Sequence, residues 1–419
     1  MRAIEALRFL PLALLTGLAA FVVVGKLRVK PRPVDTSAAV SPNHAVASVE
    51  TPALARSVGT TGTFSPVLMA HGGPLRRHRS EAKGPRAIHR AWRAELGGPI
   101  QGQIVSSPDE RTLYAATLGG ALVALDRATG AERFRVELGD RAYGAPCVSP
   151  DGAIFVGSDA KRFFGVRPDG AIAFRLEIEG EADTSCAIAG GLVYFAAGAN
   201  VYAVRSRGDV AWRFRTKGKV FTAPLVLDDG LVVVGAQDDH VYGLRDGKAV
   251  FTTAVGADVD GAPVALDDGG IAVGTDAGEV VFLDHAGQIR ARSSLGGFVR
   301  GELALAHDGA VLAGVYGPTP RAVRISAGAD GGSAAIAIAG AFAIPGTGSP
   351  EFGVHGGGLE DREGVVFFGG EDDAVYAVGP SGLLFRYDAG GDVDAPLTLL
   401  GDGSLVVASD AGHCDLLSP

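Results

Sequence analysis

The residues best placed to do chemistry are paired carboxylates. Asp258-Val-Asp260-Gly-Ala-Pro263 and Asp392-Val-Asp394-Ala-Pro396 each set two acids two residues apart ahead of a proline. On an exposed loop such pairs can recruit a basic protein surface by electrostatic steering. Phe298 and Arg300 stand at the equivalent place in another stretch, as do Tyr143, Lys219 and Phe221. Asp228–Gly230, Asp267–Gly270 and Asp372-Asp373 resemble calcium ligands only in isolation, because each falls where a hairpin needs Asp/Gly turn chemistry. No metal is assigned to them. Cys147, Cys186 and Cys414 are widely spaced and odd in number. They read as small buried hydrophobes rather than a disulfide framework or a metal site. His71, His78 and His89 lie in a basic stretch, residues 71–93, without acid or thiol partners at metal spacing. A solvated loop is expected there, with docking on an acidic body or on anionic lipid as the sharper alternative. No Ser–His–carboxylate set and no phosphate loop is legible, so no catalytic or cofactor-binding residue is assigned.

The elements that carry these residues repeat. Between Ala211 and Lys248 an aromatic strand (Trp212, Phe214) is followed by Ala223-Pro224, an apolar run, the turn Asp228–Gly230, and two further apolar runs ending at Gly235 and Leu244. Four short strands joined by turn residues make one antiparallel sheet, which needs neighbours to bury its faces. The pattern recurs eight times at a period of about 41 residues. Its outer aromatic falls at Trp92, Phe134, Phe174, Trp212, Phe251, Phe342 and Phe385, with Arg290 in the sixth unit. The eighth unit lacks an outer strand, and the strand of Trp92 lacks a sheet. Together they predict an all-β, eight-bladed propeller of four-stranded antiparallel blades, closed by the Trp92 strand on the last blade. The aromatics are expected to wedge between blades. Extra length at Ala327–Ala334 and His355–Gly364 reads as loops after a third and a first strand, on one face.

Composition agrees. The chain has 419 residues, 47% hydrophobic, with 62 glycines. Its net charge of −9 hides a split. Residues 1–93 hold 14 Lys/Arg against 4 Asp/Glu, and the rest hold 24 against 43. An acidic body argues against nucleic acid as a partner.

Phe9–Gly25 is an uncharged apolar run, just long enough to cross a thin bilayer. An uncleaved anchor over residues 1–30 is favoured, with a cleaved signal at Gly17–Ala19 as the alternative. Lys26, Arg28, Lys30 and Arg32 would hold that side in the cytoplasm, whereas an export-type start puts the body in the periplasm or outside the cell. The second placement is preferred. Residues 31–90 read as a Pro/Ala/Ser-rich linker with a basic lead-in, and 91–419 as the propeller.

The segments GKVFTAP with VVVGAQDDHVYGL, GADVDGAP with IAVGTDAGEVVFL, and GDVDAP with VVASDAGHCDLL resemble the pyrroloquinoline-quinone-type repeat from Trp92 to Pro419. That resemblance implies either a quinoprotein dehydrogenase or a non-catalytic scaffold similar to BamB of the outer-membrane β-barrel assembly machinery. The dehydrogenases stack the quinone between a tryptophan and adjacent cysteines over calcium, and this chain has no adjacent cysteines. The scaffold branch docks its partner through an Asp-ϕ-Asp-x-x-Pro loop, which Asp258–Pro263 matches and Asp392–Pro396 matches one residue short; this implies Asp258, Asp260, Asp392 and Asp394 as partner-binding residues, and Phe298 and Arg300 join them by their equivalent position. Acids on the loops between second and third strands (Asp159, Asp238, Asp276, Asp372, Asp410) would extend them into an acidic ring. No cysteine precedes Cys147, so the lipid attachment of that branch has no counterpart here. The reading is a membrane-tethered, protein-binding scaffold of the cell envelope without cofactor. A quinone-dependent enzyme and a propeller that binds glycan or peptide in its channel are the alternatives.

Overall fold

In each repeat, apolar runs alternate with turns of Asp and Gly, and the chain folds back at each turn. The computed structural model describes residues 66–327, 336–345 and 352–419, so Phe9–Gly25 and most of the linker lie outside the described residues. Eight four-stranded antiparallel sheets form the blades of a propeller. In blade four the strands are Leu225–Val226, Val232–Ala236, His240–Arg245 and Lys248–Ala254, from the axis outward. The middle strands are buried on both faces, while the outer strand alternates between half-buried and exposed. Arg90–Glu95 pairs antiparallel with His413–Leu417, Trp92 opposite Leu416, and supplies the outer strand of blade eight.

Blades interlock through an aromatic and a glycine. The ring of Trp92 lies against Gly130, Phe134 against Gly170, Phe174 against Gly208, Trp212 against Gly247 and Phe251 against Gly287. Each glycine sits in the outer hairpin of the next blade at positive φ, for example +73° at Gly130. A Cβ at Gly130 would approach the Trp92 ring to 2.7 Å, so the turn and the wedge demand the same residue. Arg290, at the sixth outer-aromatic position, pairs with Asp268 at 2.5 Å instead.

Three expectations are corrected. First, Cys147 and Cys186 form a disulfide, with Cα atoms 5.7 Å apart. Their separation of 39 residues is one repeat, which places them at neighbouring positions where two blades meet at the axis. Cys414 is buried and free. Second, the innermost strand of blade seven is Leu359–Glu360, so His355 lies ahead of it, on the opposite face from the one expected.

Third, the basic lead-in is not a solvated loop. Pro66–Ser80 runs round the hub in blade order. The second residue of six innermost strands donates its N–H to it: Ser106 to Val67, Val148 to Leu68, Val226 to Pro74, Ala265 to Leu75, Leu305 to Arg77 and Glu360 to His78, at 2.7–3.3 Å. Met69 and Leu75 pack into the blade cores. His71, Arg76 and His78 are 1%, 1% and 4% exposed. His71 and His78 stack at 4.1 Å between ring centroids. Glu302 meets His71 Nε2 and Arg76 Nη2, each at 2.5 Å. Gln103 Oε1 accepts the His71 N–H at 2.7 Å, and Gln103 Nε2 donates to Leu397 O at 2.9 Å. His78 Nε2 reaches the same carbonyl at 2.8 Å.

Burial, together with the neighbouring His71, lowers the pKa of His78 well below the ordinary histidine value. Burial pushes the Glu302 carboxyl up, but Arg76 and His71 outweigh it and hold the group well below the usual carboxylate range. A histidine neutral when folded and protonated when unfolded costs stability as pH falls below about 6.5. The stability advantage of the wild type over His78→Gln should therefore shrink from pH 7.5 to pH 5.5, measured by denaturant midpoints. A constant difference would refute this account.

Candidate functional site

Eight loops carry the chain from the outer strand of one blade to the innermost strand of the next, and all emerge on one face. Each contains a triad whose central apolar residue is buried. The centres are Ile100, Ala142, Ala182, Val220, Val259, Val299, Val354 and Val393, none more than 2% exposed. Alternation along an extended segment then turns the flanking residues outward, except Gly353, which is buried against Tyr316. The triads read Pro99-Ile-Gln101, Arg141-Ala-Tyr143, Glu181-Ala-Asp183, Lys219-Val-Phe221, Asp258-Val-Asp260, Phe298-Val-Arg300, Gly353-Val-His355 and Asp392-Val-Asp394. The last residue of each stands four positions before an innermost strand. Neighbouring loops meet backbone to backbone. A Cβ on Gly144 would come 2.2 Å from Thr184 O, and one on Gly261 would come 2.1 Å from Gly301 O.

The third residues of seven triads line a cup of about 540 Å³ on the propeller axis, and Gln103 and Glu302, which hold the hub segment, line it too. The hub segment therefore closes the far end of the channel.

The mouth is not a ring of acids. Blades two, four and six bring a cation–aromatic pair each: Arg141 over Tyr143 at 5.4 Å, Lys219 over Phe221 at 5.8 Å and Arg300 over Phe298 at 4.4 Å. Acidic triads alternate with them at blades three, five and eight. The acids on the loops between second and third strands mostly anchor the triads. Asp159 pairs with Arg141 at 2.9 Å, and Asp276 with Arg300 at 3.0 Å. Asp410 and Asp394 accept from the two-way donor Gln101 Nε2 at 3.1 and 3.2 Å. Asp238 and Asp372 accept the hydroxyls of Tyr242 and Tyr376 at 2.5 Å. Asp260 accepts from Gln237 Nε2 at 3.1 Å.

The structure thus puts Asp260 and Arg300 in the cup wall and Phe298 beneath Arg300. Asp258 and Asp392 open the triads of blades five and eight, each offering its backbone carbonyl to the loop between second and third strands of its own blade, at Asp276 N and Asp410 N. The Asp258/Asp260 and Asp392/Asp394 pairs, on blades five and eight, do not touch one another. Sequence reasoning overlooked Asp183 and Glu371, and placed the hub residues His71 and His78 in a solvated loop, with docking on an acidic body only as the alternative. The signal for Asp183 was present, because Glu181-Ala-Asp183 has the register of Asp-Val-Asp with a smaller centre.

Crowding leaves several carboxyls reluctant to ionise. Burial and the adjacent Asp159 push Asp183 up to about 8. Burial and Asp394 push Glu371 to about 8 and Asp410 to about 6. Burial raises Asp258, with Asp239 and Asp276 adding to it, and raises Asp260, with Asp276. It raises Asp392 likewise, with Asp394.

The tryptophan and adjacent-cysteine platform on which the dehydrogenases stack their quinone is not assembled in this cup. Both tryptophans lie between blades, Trp92 Nε1 donating to Arg127 O at 2.8 Å. The disulfide joins two blades rather than adjacent residues. Tyr143 and Phe221 each carry a cation over the ring. Among the described residues no His, Cys, Asp and Glu cluster is arranged to hold a metal, and no helix is long and apolar enough to cross a membrane.

A carboxyl raised from 3.8 to about 8 on folding favours the folded state only while protonated, so its contribution is lost as pH rises through that range. Asp183→Asn should gain thermal stability relative to the wild type between pH 5 and pH 9. Parallel melting temperatures across that range would contradict the assignment.

The family model described as outer membrane protein assembly factor BamB matches residues 86–177 and 166–311, together more than half of the chain. The crystal structure of BamB from Moraxella catarrhalis superposes with a TM-score of 0.64 at 16% identity, over 80% of this chain and 100% of that one. The computationally designed Ika8 protein gives 0.62 at 17% identity, over 78% and 98%. The WD40 propeller domain of Doa1 gives 0.52 at 12%, over 79% and 97%. These likenesses carry the fold. A search of curated protein sequences finds no match. Eight blades, the repeat segments and the matched family model lead to one conclusion: the chain belongs to the BamB family of pyrroloquinoline-quinone-like propellers.

Proposed function

We propose that this protein is a non-catalytic protein-binding scaffold of the cell envelope, tethered through Phe9–Gly25, with its body in the periplasm or outside the cell. One observation carries the reading: every blade brings a loop with a buried apolar centre to the same mouth, and the residues flanking that centre vary in charge while the centre does not. A surface that keeps its scaffold and varies its side chains suits recognition of a partner rather than turnover of a substrate. Alternating acidic and cation–aromatic loops favour a partner with basic groups spaced to meet Asp258/Asp260 and Asp392/Asp394, leaving Phe298 with Arg300 as an aromatic anchor. The family likeness supports the same role. The apolar length of Phe9–Gly25 supports the tether.

The blind cup favours a second reading, a small polar ligand such as a glycan or peptide end, because Tyr143 and Phe221 stand among carboxylates and cations in its wall. Such a ligand would enter from the mouth and could not pass through.

Capture of partners from cross-linked membranes tests the scaffold role. The double substitution Asp258→Ala/Asp260→Ala should lower recovery of the specific partner about tenfold, in line with loss of one or two interfacial charge contacts. Unchanged recovery from this variant and from Asp392→Ala/Asp394→Ala would reject the rim as the docking surface.

A further inference from the structure

The hub segment is bonded like a ligand. We infer that the axis of the propeller is a peptide-binding site for a basic segment, and that this chain fills the site in cis with its own Pro66–Ser80. The site is built from two sets of groups. The first is the six innermost-strand N–H donors, which bond main-chain carbonyls of the segment and so read its path rather than its side chains. This is edge-strand recognition arranged in a circle. The second set reads chemistry. Glu302 takes Arg76 and His71, Asp267 takes Arg77 at 3.3 Å and Arg79 at 3.2 Å, and Leu397 O takes His78. Gln103 fixes the turn at His71 N.

The segment does not hold this shape by its own preference. His71, Arg76 and His78 all have positive φ (58°, 56° and 50°), a region costly for residues with a Cβ. Internal bonds are few, chiefly His78 N to His71 O at 3.0 Å and Arg76 N to Gly73 O at 3.0 Å. The blades impose the conformation, as a binding site imposes one on a flexible peptide. Covalent continuity with Arg90–Glu95 runs through Ala87, Ile88 and His89, all exposed, so the connection can be cut without touching the hub. This site is separate from the rim at the other end of the cup, and its failure would leave the rim reading intact.

The test uses the full chain with a specific protease site placed at Ala87–Ile88. After cleavage at pH 7.5 the N-terminal fragment should co-elute with the propeller in gel filtration. A labelled synthetic peptide of residues 66–86, added in excess, should replace it. Glu302→Gln should speed that replacement at least about tenfold, the scale of losing a charge-assisted pair. Release of the fragment at cleavage, with the propeller still folded by circular dichroism, would overturn the inference. So would a fragment that no excess of peptide displaces, or a Glu302→Gln variant that exchanges at the wild-type rate.

Discussion

A propeller closes its outer edges easily and its inner edges poorly. Eight innermost strands of two or three residues converge on an axis, and each ends the sheet with backbone donors that no further strand meets. In this protein the Pro66–Ser80 segment answers six of them from the middle. That one arrangement decides much else. It makes the lead-in part of the core, turns a through-channel into a cup, and brings two imidazoles and a guanidinium into a buried hub where Glu302 counters them.

The opposite mouth is organised by a simpler rule. A buried apolar centre holds every loop in register, and in seven of the eight both flanking residues reach the surface. The fold therefore specifies where rim side chains stand and leaves their identity to function. Acidic and cation–aromatic triads together limit the field of either sign, and several carboxyls are raised in pKa by burial beside other acids. On the proposed scaffold reading, such a mouth discriminates by pattern more than by net charge.

The two ends of the cup are chemically joined through Glu302 and Gln103, which face the cavity and also grip the hub segment. A group bound deep in the cup would meet the same side chains that fix the floor. Rim, cup and hub thus form one continuous polar column inside a ring of apolar blade faces.

The repeat was legible in the sequence because its signals are local. Asp/Gly turns, apolar runs and an aromatic every 41 residues or so each act within a few positions, so blade number and strand order follow from them. The Asp-Val-Asp pairs were legible for the same reason, although their generality was hidden by triads such as Arg141-Ala-Tyr143 whose centre is only an alanine. Other features depended on closure of the ring. Cys147 and Cys186 are 39 residues apart in the chain and become neighbours only when two blades pack at the axis. His71, Arg76 and His78 look like a solvated basic run, and only the assembled hub supplies the carboxylate, amide and carbonyl that make their burial favourable. Sequence by itself determined the blades and, outside the seventh, the order of their strands and loops, since these arise from short-range alternation and turn chemistry. Tertiary structure alone decided what fills the axis and which charges meet there, because those contacts join residues up to about 320 positions apart, and only ring closure brings them together.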